Sequence, residues 1–390
     1  MRGEWCDIKS VFDHVTVREV TVLNRISYWQ YSRLKECALK GVFPNNLSLI
    51  PASPNISNYN RRMILGMVFH RIMEGVCQEP SNYDLLLLEK VKVLVKDVFY
   101  NVENELKSRE GGERFSNIER WPEAGSVYDA VVTILKDRKN SSNQNSQKKN
   151  SSRVLSEYML VSENGKVTGK PDLIIQNNDS ITVVDYKLCH LDNMTEGVFQ
   201  SYTHQLLLYA NLIEEQLGFY PKKAFLVGKG KSKKEIYLEK EKSLQIRREM
   251  ETMLEEVNRR IISSVTNYDS LSTPSGSACG NCDAKPWCSS FRRSMRVFET
   301  PKYKHIIYGV QTVPFQESRR GGLTLKLKVI ISSFGPEDVE VIVTRVIRSW
   351  FPHLEDRPGQ ALIVSNVEGR EGDSSASCTF DTRIMAVNTS

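Results

Sequence analysis

Two short segments of the sequence place two acids and a lysine where the three side chains could act on a phosphate ester. Asp172 lies in the segment 169–174, and Asp185 and Lys187 lie in the hydrophobic segment 183–187. Asp185 and Lys187 are two residues apart, so on a β-strand they point to the same face. Carboxylates bind divalent cations, and a neighbouring ammonium group can orient water or stabilise phosphate charge. The pattern indicates metal-dependent hydrolysis of a phosphodiester, and a plain ion pair is the alternative.

The elements that must position these residues can be predicted from the surrounding sequence. We predict strands over 157–162, 167–176 and 181–187, the first two joined by a turn at Asn164-Gly165, which is a strong hairpin signal. We then predict a helix over 196–217, strands over 224–228 and 235–238, and a long helix over 240–262. Gln205 and Tyr209 are four residues apart on the first of these helices and therefore share one face.

The chain before these strands is predicted to be mostly helical. The spacing of apolar residues predicts helices over 28–40, 60–77, 84–107 and 124–136. His70 lies on the second of them, where a histidine taken alone is more often a core residue than a metal ligand. The segment 139–152 contains no apolar residue and predicts a flexible loop.

The order of these motifs along the chain resembles that of a known nuclease family. The ordered set is Gly66 and His70 on a helix, Asp172, Asp185 and Lys187 on strands, and Gln205 and Tyr209 on the next helix. It is similar to the RecB-like branch of the PD-(D/E)xK nuclease superfamily, over about residues 26–293. The resemblance implies an α/β fold with a restriction-endonuclease-like core, in which a mixed central sheet is flanked by helices. It also implies metal-dependent hydrolysis of DNA.

The resemblance implies a role for each residue of the central motifs. Asp172 corresponds to the aspartate of the PD motif, which Pro171 precedes, while Asp185 corresponds to its second acid and Lys187 to its lysine. His70 corresponds to the metal-binding histidine of the family. His70, Asp172 and Asp185 would then hold one or two Mg²⁺ or Mn²⁺ ions, with Lys187 supporting the nucleophile.

The flanking polar residues receive weaker assignments. Gln205 and Tyr209 correspond to a family pair that lies beside the active site and helps to place the DNA strand, with a core residue as the alternative for Tyr209. Glu157 occupies the position of a further family acid, which would either join the metal site, tune Lys187 or remain a surface residue. His204 could contact a phosphate, but we assign it no role.

Three of the eight cysteines form a second motif, in which Cys279, Cys282 and Cys288 have the spacing C-x2-C-x5-C. Three ligands are one short of a closed metal site, and Cys37 is the natural fourth. One distant cysteine with three clustered ones resembles the iron–sulfur site of AddB-type and CRISPR-adaptation nucleases. The resemblance implies a [4Fe–4S] cluster that closes a long loop of the chain. Four thiolates also suit Zn²⁺, so zinc is the alternative.

Composition and charge limit the partners and the cellular location that we expect for the protein. The 390 residues carry a formal net charge of only +6, but basic residues outnumber acidic ones between Lys285 and Lys328. This basic strip would suit a polyanion such as DNA, or it is simply a solvated surface. No apolar run approaches the roughly 20 residues that span a bilayer, and the first residues lack the apolar core of a signal peptide. We therefore expect a cytoplasmic protein with no membrane partner and with reduced cysteines.

We predict two domains: residues 1–300 form the nuclease domain and residues 301–390 a β-rich appendage of unknown role. The polar tail beyond about Val367 is predicted to be poorly ordered. The segment 230–232 ends like a phosphate-binding loop, but Phe225 stands where that motif needs its first glycine. We see no ATPase, so a helicase or an adaptation-complex partner would act in trans.

The function predicted from these motifs is that of a metal-dependent DNA nuclease, an exonuclease on single-stranded DNA or DNA ends. Its setting would be DNA repair or recombination, CRISPR-type adaptation, or defence. The alternative is a catalytically silent module that binds DNA ends or serves as a scaffold. Such a module would normally have lost part of the acidic set, which is complete here.

Overall fold

A computed structural model describes most of the chain. The described residues are 11–12, 20–43, 60–78, 88–108, 112–143, 153–177, 180–229, 232–264, 268–295, 305–317, 322–333, 337–351, 354–370 and 372–387. Among them, no helix combines the length and apolar character needed to cross a membrane.

The region before residue 296 contains nine α-helices and eight β-strands among its described residues. The helices are α1 (Tyr28–Glu36), α2 (Ala38–Val42), α3 (Arg61–Gln78), α4 (Leu88–Lys107), α5 (Gly125–Asn143), α6 (Glu196–Leu217), α7 (Lys240–Ser263), α8 (Gly276–Gly280) and α9 (Ser289–Ser294). The strands are β1 (Ile26–Ser27), β2 (Arg153–Ser156), β3 (Leu160–Val161), β4 (Val167–Gly169), β5 (Leu173–Asn177), β6 (Ser180–Tyr186), β7 (Lys223–Val227) and β8 (Lys233–Ile236).

The central sheet has five strands in the order β2-β5-β6-β7-β8. It is mixed, because β6 and β7 run parallel while the other neighbouring pairs are antiparallel. The parallel pair needs a crossover, which α6 supplies. This helix ends at Gly218, whose φ of 79° gives the left-handed backbone that commonly terminates helices.

Helices cover both faces of the central sheet. Ile181 and Val183 of β6 belong to a core shared with α1, α6 and α7. Val184 and Tyr186 point the other way, into a core shared with α3, α4 and α5. Burial on both faces explains why β6 is a nearly continuous apolar run rather than an alternating one.

The predicted strand 167–176 is split into β4 and β5, and the predicted strand 157–162 is shortened to β3, with β2 lying before it. The chain over 153–177 is one antiparallel ribbon, in which β2 pairs with β5 and β3 pairs with β4. The half formed by β2 and β5 belongs to the central sheet. The half formed by β3 and β4 leaves it and joins β1 in a three-stranded sheet of order β1-β4-β3. Glu157, with a φ of 49°, and Pro171, which lacks an N–H donor, interrupt the two strands.

The C-terminal region is rich in β-structure, as predicted. Its strands are β9 (His305–Gln311), β10 (Gln316–Glu317), β11 (Leu323–Ser332), β12 (Glu340–Val346), β13 (Ala361–Val367), β14 (Ser375–Ser377) and β15 (Arg383–Ala386). They form one sheet of order β14-β12-β11-β9-β13-β15, with β10 paired to β11. The mixed α/β class and the β-rich C-terminal region are thus confirmed.

Two local expectations need correction. The tail beyond Val367 is not wholly irregular, because β14 and β15 belong to the sheet and Ile384 and Met385 are buried. The predicted loop 139–152 begins later than expected, since α5 continues to Asn143. Residues 144–152 of that loop lie outside the described residues.

The C-terminal sheet packs directly on the rest of the chain. Tyr308 of β9 and Met385 of β15 belong to the same buried core as Trp287 and Cys288. The Tyr308 hydroxyl also donates a hydrogen bond of 2.9 Å to the carbonyl of Pro286. The sheet therefore lies against the segment that contains the cysteine motif.

Candidate active site and metal centre

The ribbon 153–177 bends where it leaves the central sheet, at Glu157 on one strand and at residues 170–172 on the other. This ribbon bend and helix α3 bring three potential metal ligands together. Nδ1 of His70 lies 3.0 Å from Oδ1 of Asp172 and 3.7 Å from Oε1 of Glu157. One ligand atom from each of the three residues lies within 4.8 Å of the others. Two carboxylates and an imidazole suit Mn²⁺, and the carboxylates suit Mg²⁺. The geometry and the donor set therefore fit a divalent cation.

The backbone around the site fixes the orientation of Asp172. The amide of Tyr186, at the end of β6, donates to Oδ2 of Asp172 at 2.5 Å. The Asp172 carbonyl accepts a hydrogen bond of 3.1 Å from the amide of Glu157. These contacts leave Oδ1 of Asp172 facing His70, so the two motif segments of the sequence hold one another in place.

Asp185 and Lys187 occupy the same face of one strand end, as the spacing predicts. Nζ of Lys187 lies 2.5 Å from Oδ2 of Asp185, and the Lys187 amide donates to the carbonyl of Val227. Asp185 is almost fully buried. Among the described residues, the group of three potential ligands contains Glu157 and not Asp185, whose carboxylate faces the Lys187 ammonium. This group shares His70 and Asp172 with the predicted ligand set, in which Asp185 is the third ligand.

Burial and mutual charge set the protonation of this pair. Burial raises the pKa of Asp185, the charge of Lys187 opposes that rise, and the charge of Asp172 adds to it. For Lys187, burial acts to lower the pKa, but the charges of Asp185 and Asp172 outweigh it and leave the pKa raised. The Lys187 side chain is therefore a protonated ammonium at neutral pH.

The pKa of His70 is raised, whereas burial alone lowers the pKa of a histidine. Burial acts to lower the pKa of His70, but the hydrogen bond and the charge of Asp172 outweigh it. Glu157 adds a further upward contribution, Lys187 a downward one, and the net pKa is raised. A cation bound here would have to displace a proton that is held more tightly than usual.

Gln205 and Tyr209 lie beside the site, on the face of α6 that meets the ribbon. Nε2 of Gln205 donates to the Tyr209 hydroxyl at 2.7 Å, and that hydroxyl donates to the carbonyl of Lys170 at 3.3 Å. Tyr209 is buried. His204, by contrast, interacts electrostatically with Lys242 and the α1 residue Lys35, away from the three potential ligands.

Two residues of the site carry no role in the sequence analysis. Nζ of Lys170 lies 2.5 Å from Oε2 of Glu157. The ring of Tyr202 lies under the Lys187 ammonium, 4.3 Å from Nζ to the ring centroid. The position of Lys170 directly before Pro171-Asp172 is a signal that could have marked it. Tyr202 has no such signal, because it reaches Lys187 only through the packing of α6 on the sheet.

The three cysteines of the second motif and Cys37 line one cavity. Cys37, between α1 and α2, meets Cys279, Cys282 and Cys288 there, and the buried side chain of Lys285 lines the same space. The Thr273 amide donates to the Cys37 sulfur and the Phe291 amide to the Cys288 sulfur, each at 3.3 Å. Amide donors and a nearby cation both favour thiolate over thiol.

Without a bound metal, burial keeps the thiols of Cys282 and Cys288 protonated. Burial raises the pKa of Cys282 to about 12, against a lowering hydrogen bond from the Ala284 backbone. It raises the pKa of Cys288 to about 11 in the same way, against the Phe291 amide.

Two residues of the basic strip between Lys285 and Lys328 are buried. They are Lys285 and Arg292, and the Arg292 guanidinium lies over the ring of Tyr308. Several members of the strip lie outside the described residues: Arg296, Lys302, Lys304, Arg319 and Arg320. Lys285 and Arg292 are therefore not part of a basic surface for DNA.

Comparison with solved structures gives only a distant likeness. The chain is similar to a structure titled "Crystal structure of SSO0001", with 15% sequence identity, 39% of this chain and 70% of that chain covered, and a TM-score of 0.22. A likeness at that TM-score carries no argument about function. None of the curated proteins compared with the chain matches it.

A family model gives the decisive comparison. The model of the PD-(D/E)XK nuclease superfamily matches residues 25–289, which is more than half of the chain. The match spans α1 to the start of α9 and so includes His70, Glu157, Asp172, Asp185 and Lys187. The chain belongs to the PD-(D/E)XK nuclease superfamily.

Proposed function

We propose that the protein is a metal-dependent deoxyribonuclease that acts as an exonuclease on single-stranded DNA or DNA ends. Membership of the superfamily makes it a nuclease-type hydrolase that uses divalent metals. The observation that carries the proposal is the convergence of His70, Glu157 and Asp172 on one point. The buried pair Asp185 and Lys187 lies at the end of the adjacent strand.

In the proposed mechanism, a divalent ion would supply an activated water and neutralise charge on the scissile phosphate. His70, Glu157 and Asp172 would hold it, with Asp172 oriented by the Tyr186 amide. Lys187 acts as a fixed cation, because its ammonium pairs with the buried Asp185 carboxylate. Its ammonium stabilises phosphate charge in the transition state, while Asp185 and the Tyr202 ring keep it in position.

We further propose that the four-cysteine cavity holds a [4Fe–4S] cluster. Support comes from four thiols on one cavity, from amide donors to their sulfurs, and from the lysine in its wall. Four thiolates also suit Zn²⁺, which is the alternative occupant of this cavity. Bound there, the group would tie Cys37 of the early helices to the end of the nuclease region and so stabilise the fold.

The cellular setting belongs to the same proposal. The cysteines whose side chains are described are free thiols, which supports a reducing compartment such as the cytoplasm. We propose DNA repair or recombination, CRISPR-type adaptation, or defence as the process. Because the sequence around 230–232 does not complete a phosphate-binding motif, strand separation would come from a helicase or an adaptation-complex partner in trans.

The experiment that tests the proposed activity uses anaerobically prepared full-length protein. End-labelled single- and double-stranded DNA are incubated with Mg²⁺, with Mn²⁺ or with a chelator, using the wild type and the Asp172→Asn variant. We expect cleavage that needs the metal and Asp172 and that releases products from one end. A silent DNA-binding module would bind the DNA and leave it intact in every condition, which would overturn the proposal.

A further inference from the structure

We infer that Tyr209 and Gly169 are positioning residues for the metal site: Tyr209 packs under Gly169 and holds the ribbon bend that carries Asp172. The inference rests on the proposed function, because it concerns the same ligands. It assigns Tyr209 to the support of the metal site rather than to contact with DNA.

The bend is a place where the backbone needs outside support. The residues Lys170, Pro171 and Asp172 cross from β4 in the small sheet to β5 in the central sheet. They belong to neither strand, and Pro171 offers no N–H to a ladder. The position of the Asp172 carboxylate therefore depends on the contacts that this short crossing makes with its surroundings.

Tyr209 supplies the contact at the start of the crossing. Its hydroxyl donates to the Lys170 carbonyl at 3.3 Å and accepts from Nε2 of Gln205 at 2.7 Å. A chain of hydrogen bonds thus runs from the α6 side chain of Gln205 through Tyr209 to the ribbon backbone. Tyr209 is only 5% exposed, so its hydroxyl faces the ribbon and not solvent or a bound strand.

Gly169 makes room for the Tyr209 ring. A methyl group added at Gly169 would lie 2.7 Å from ring carbons Cδ1 and Cε1 of Tyr209 and 3.1 Å from Cδ1 of Leu212. Real Cβ atoms essentially never approach within the first of these distances, so either the ring or the strand would have to move. Glycine at the last position of β4 is therefore what allows the ring to sit against the ribbon directly before the bend.

The far end of the crossing is held independently. The Asp172 carbonyl accepts from the Glu157 amide, and its carboxylate accepts from the Tyr186 amide. Loss of the Tyr209 hydroxyl should therefore loosen the bend without unfolding it. The metal ligands would then be less well preorganised. Metal binding would be weaker, because part of the binding free energy would be needed to order them.

The test measures binding of Mn²⁺ alone by calorimetric titration of full-length wild type, Tyr209→Phe and Tyr220→Phe. Asp172→Asn defines which binding event belongs to the site. Tyr220→Phe is the matched control, because its hydroxyl bonds Ser243 Oγ at 2.7 Å beyond the end of α6, outside the ribbon. We expect Tyr209→Phe to weaken Mn²⁺ binding roughly two- to tenfold, the value of one neutral hydrogen bond. Tyr220→Phe should leave it unchanged.

Affinity for single-stranded DNA in chelator is measured on the same three proteins. Unchanged DNA affinity together with weaker Mn²⁺ binding in Tyr209→Phe supports the inference. Unchanged Mn²⁺ affinity, or weaker DNA binding as the only effect, overturns it and makes Tyr209 a DNA contact or a plain core residue. If the wild type has no Mn²⁺ site that depends on Asp172, the proposed function itself fails and the inference falls with it.

Gly169→Ala gives a second measurement on the other side of the contact. The added methyl should displace the ring and weaken Mn²⁺ binding at least as much as Tyr209→Phe does. Combining Gly169→Ala with Tyr209→Leu, which removes the ring, should restore part of the lost affinity relative to Gly169→Ala alone. Full Mn²⁺ affinity in Gly169→Ala would contradict the role assigned to this glycine.

Discussion

Nδ1 of His70 lies 3.0 Å from Oδ1 of Asp172, and this contact joins two layers of the molecule. His70 comes from α3, whose apolar face packs with α4 and α5 on one side of the central sheet. Asp172 comes from the ribbon bend, directly before β5 of the central sheet. A cation held by both residues would therefore link the helical layer to the sheet, and its binding should be visible in both metal affinity and stability.

Metal binding should weaken as the pH falls. His70 has a raised pKa because Asp172 and Glu157 outweigh the effect of burial, so its proton persists above the ordinary value of 6.5. A bound metal requires the neutral imidazole. Mn²⁺ affinity should therefore be highest above the raised pKa and fall below it. Titrations between about pH 6 and pH 8.5 check this, and the slope near neutrality should flatten in His70→Asn.

The choice between Glu157 and Asp185 as metal ligand can be measured directly. Glu157 belongs to the three-ligand group, whereas the Asp185 carboxylate is paired with Lys187. Glu157→Gln should weaken Mn²⁺ binding on the order of tenfold or more. Asp185→Asn should weaken it less. The reverse order in a Mn²⁺ titration would restore the ligand set expected from the sequence.

If the cysteine cavity holds an iron–sulfur cluster, the protein should be coloured. Anaerobic preparations should be brown, with broad visible absorption and iron and sulfide by analysis. Cys37→Ser should lose most of the iron and lower the unfolding midpoint, because Cys37 closes the long loop to the other three cysteines. Cys189→Ser, at an exposed thiol outside the cavity, should lose neither. A colourless protein that contains zinc would contradict the cluster.

The C-terminal sheet should contribute to the stability of the nuclease region. The ring of Phe380 packs edge-on against Trp121 at 5.1 Å and Phe115 at 5.8 Å between centroids. Phe380→Ala should lower the free energy of unfolding by about 2 kcal/mol in urea denaturation. Tyr237→Ala removes an aromatic ring that is 84% exposed and should change it little. Equal effects of the two variants would show that the Phe380 contact does not stabilise the fold.

The sequence predicted the elements of the site better than the contacts between them. Periodicity and turn signals located α6, α7 and β6 almost to the residue, because long amphipathic or apolar segments have strong local signals. The same signals predicted a strand that begins at Glu157, without β2 before it, and an unbroken strand through Pro171. They failed there because the ribbon divides between two sheets, and that division depends on how distant parts of the chain pack.

The motif residues were identifiable because they are polar and regularly spaced, but their partners were not. Spacing placed Asp185 and Lys187 on one face, as the structure has them. The ion pair of Lys187 with Asp185 and a place for Glu157 in the metal site were both among the alternatives, but spacing alone could not select them. The left-handed backbone at Glu157 has no sequence signal in a residue of this type. The contact of Tyr202 with Lys187 likewise arises only when α6 packs on the sheet.

The most direct test of the account is the single-turnover cleavage rate of Lys187→Met on a DNA substrate bound at saturation. This variant keeps the length of the side chain but removes the cation beside Asp185, and DNA and Mn²⁺ affinities are measured on the same protein. Lys233→Met, an exposed lysine on the edge strand β8, is the control. We predict a loss on the order of a hundredfold or more in rate for Lys187→Met, with DNA still bound, and a wild-type rate for the control. Cleavage by Lys187→Met at the wild-type rate would contradict the assignment of the active site.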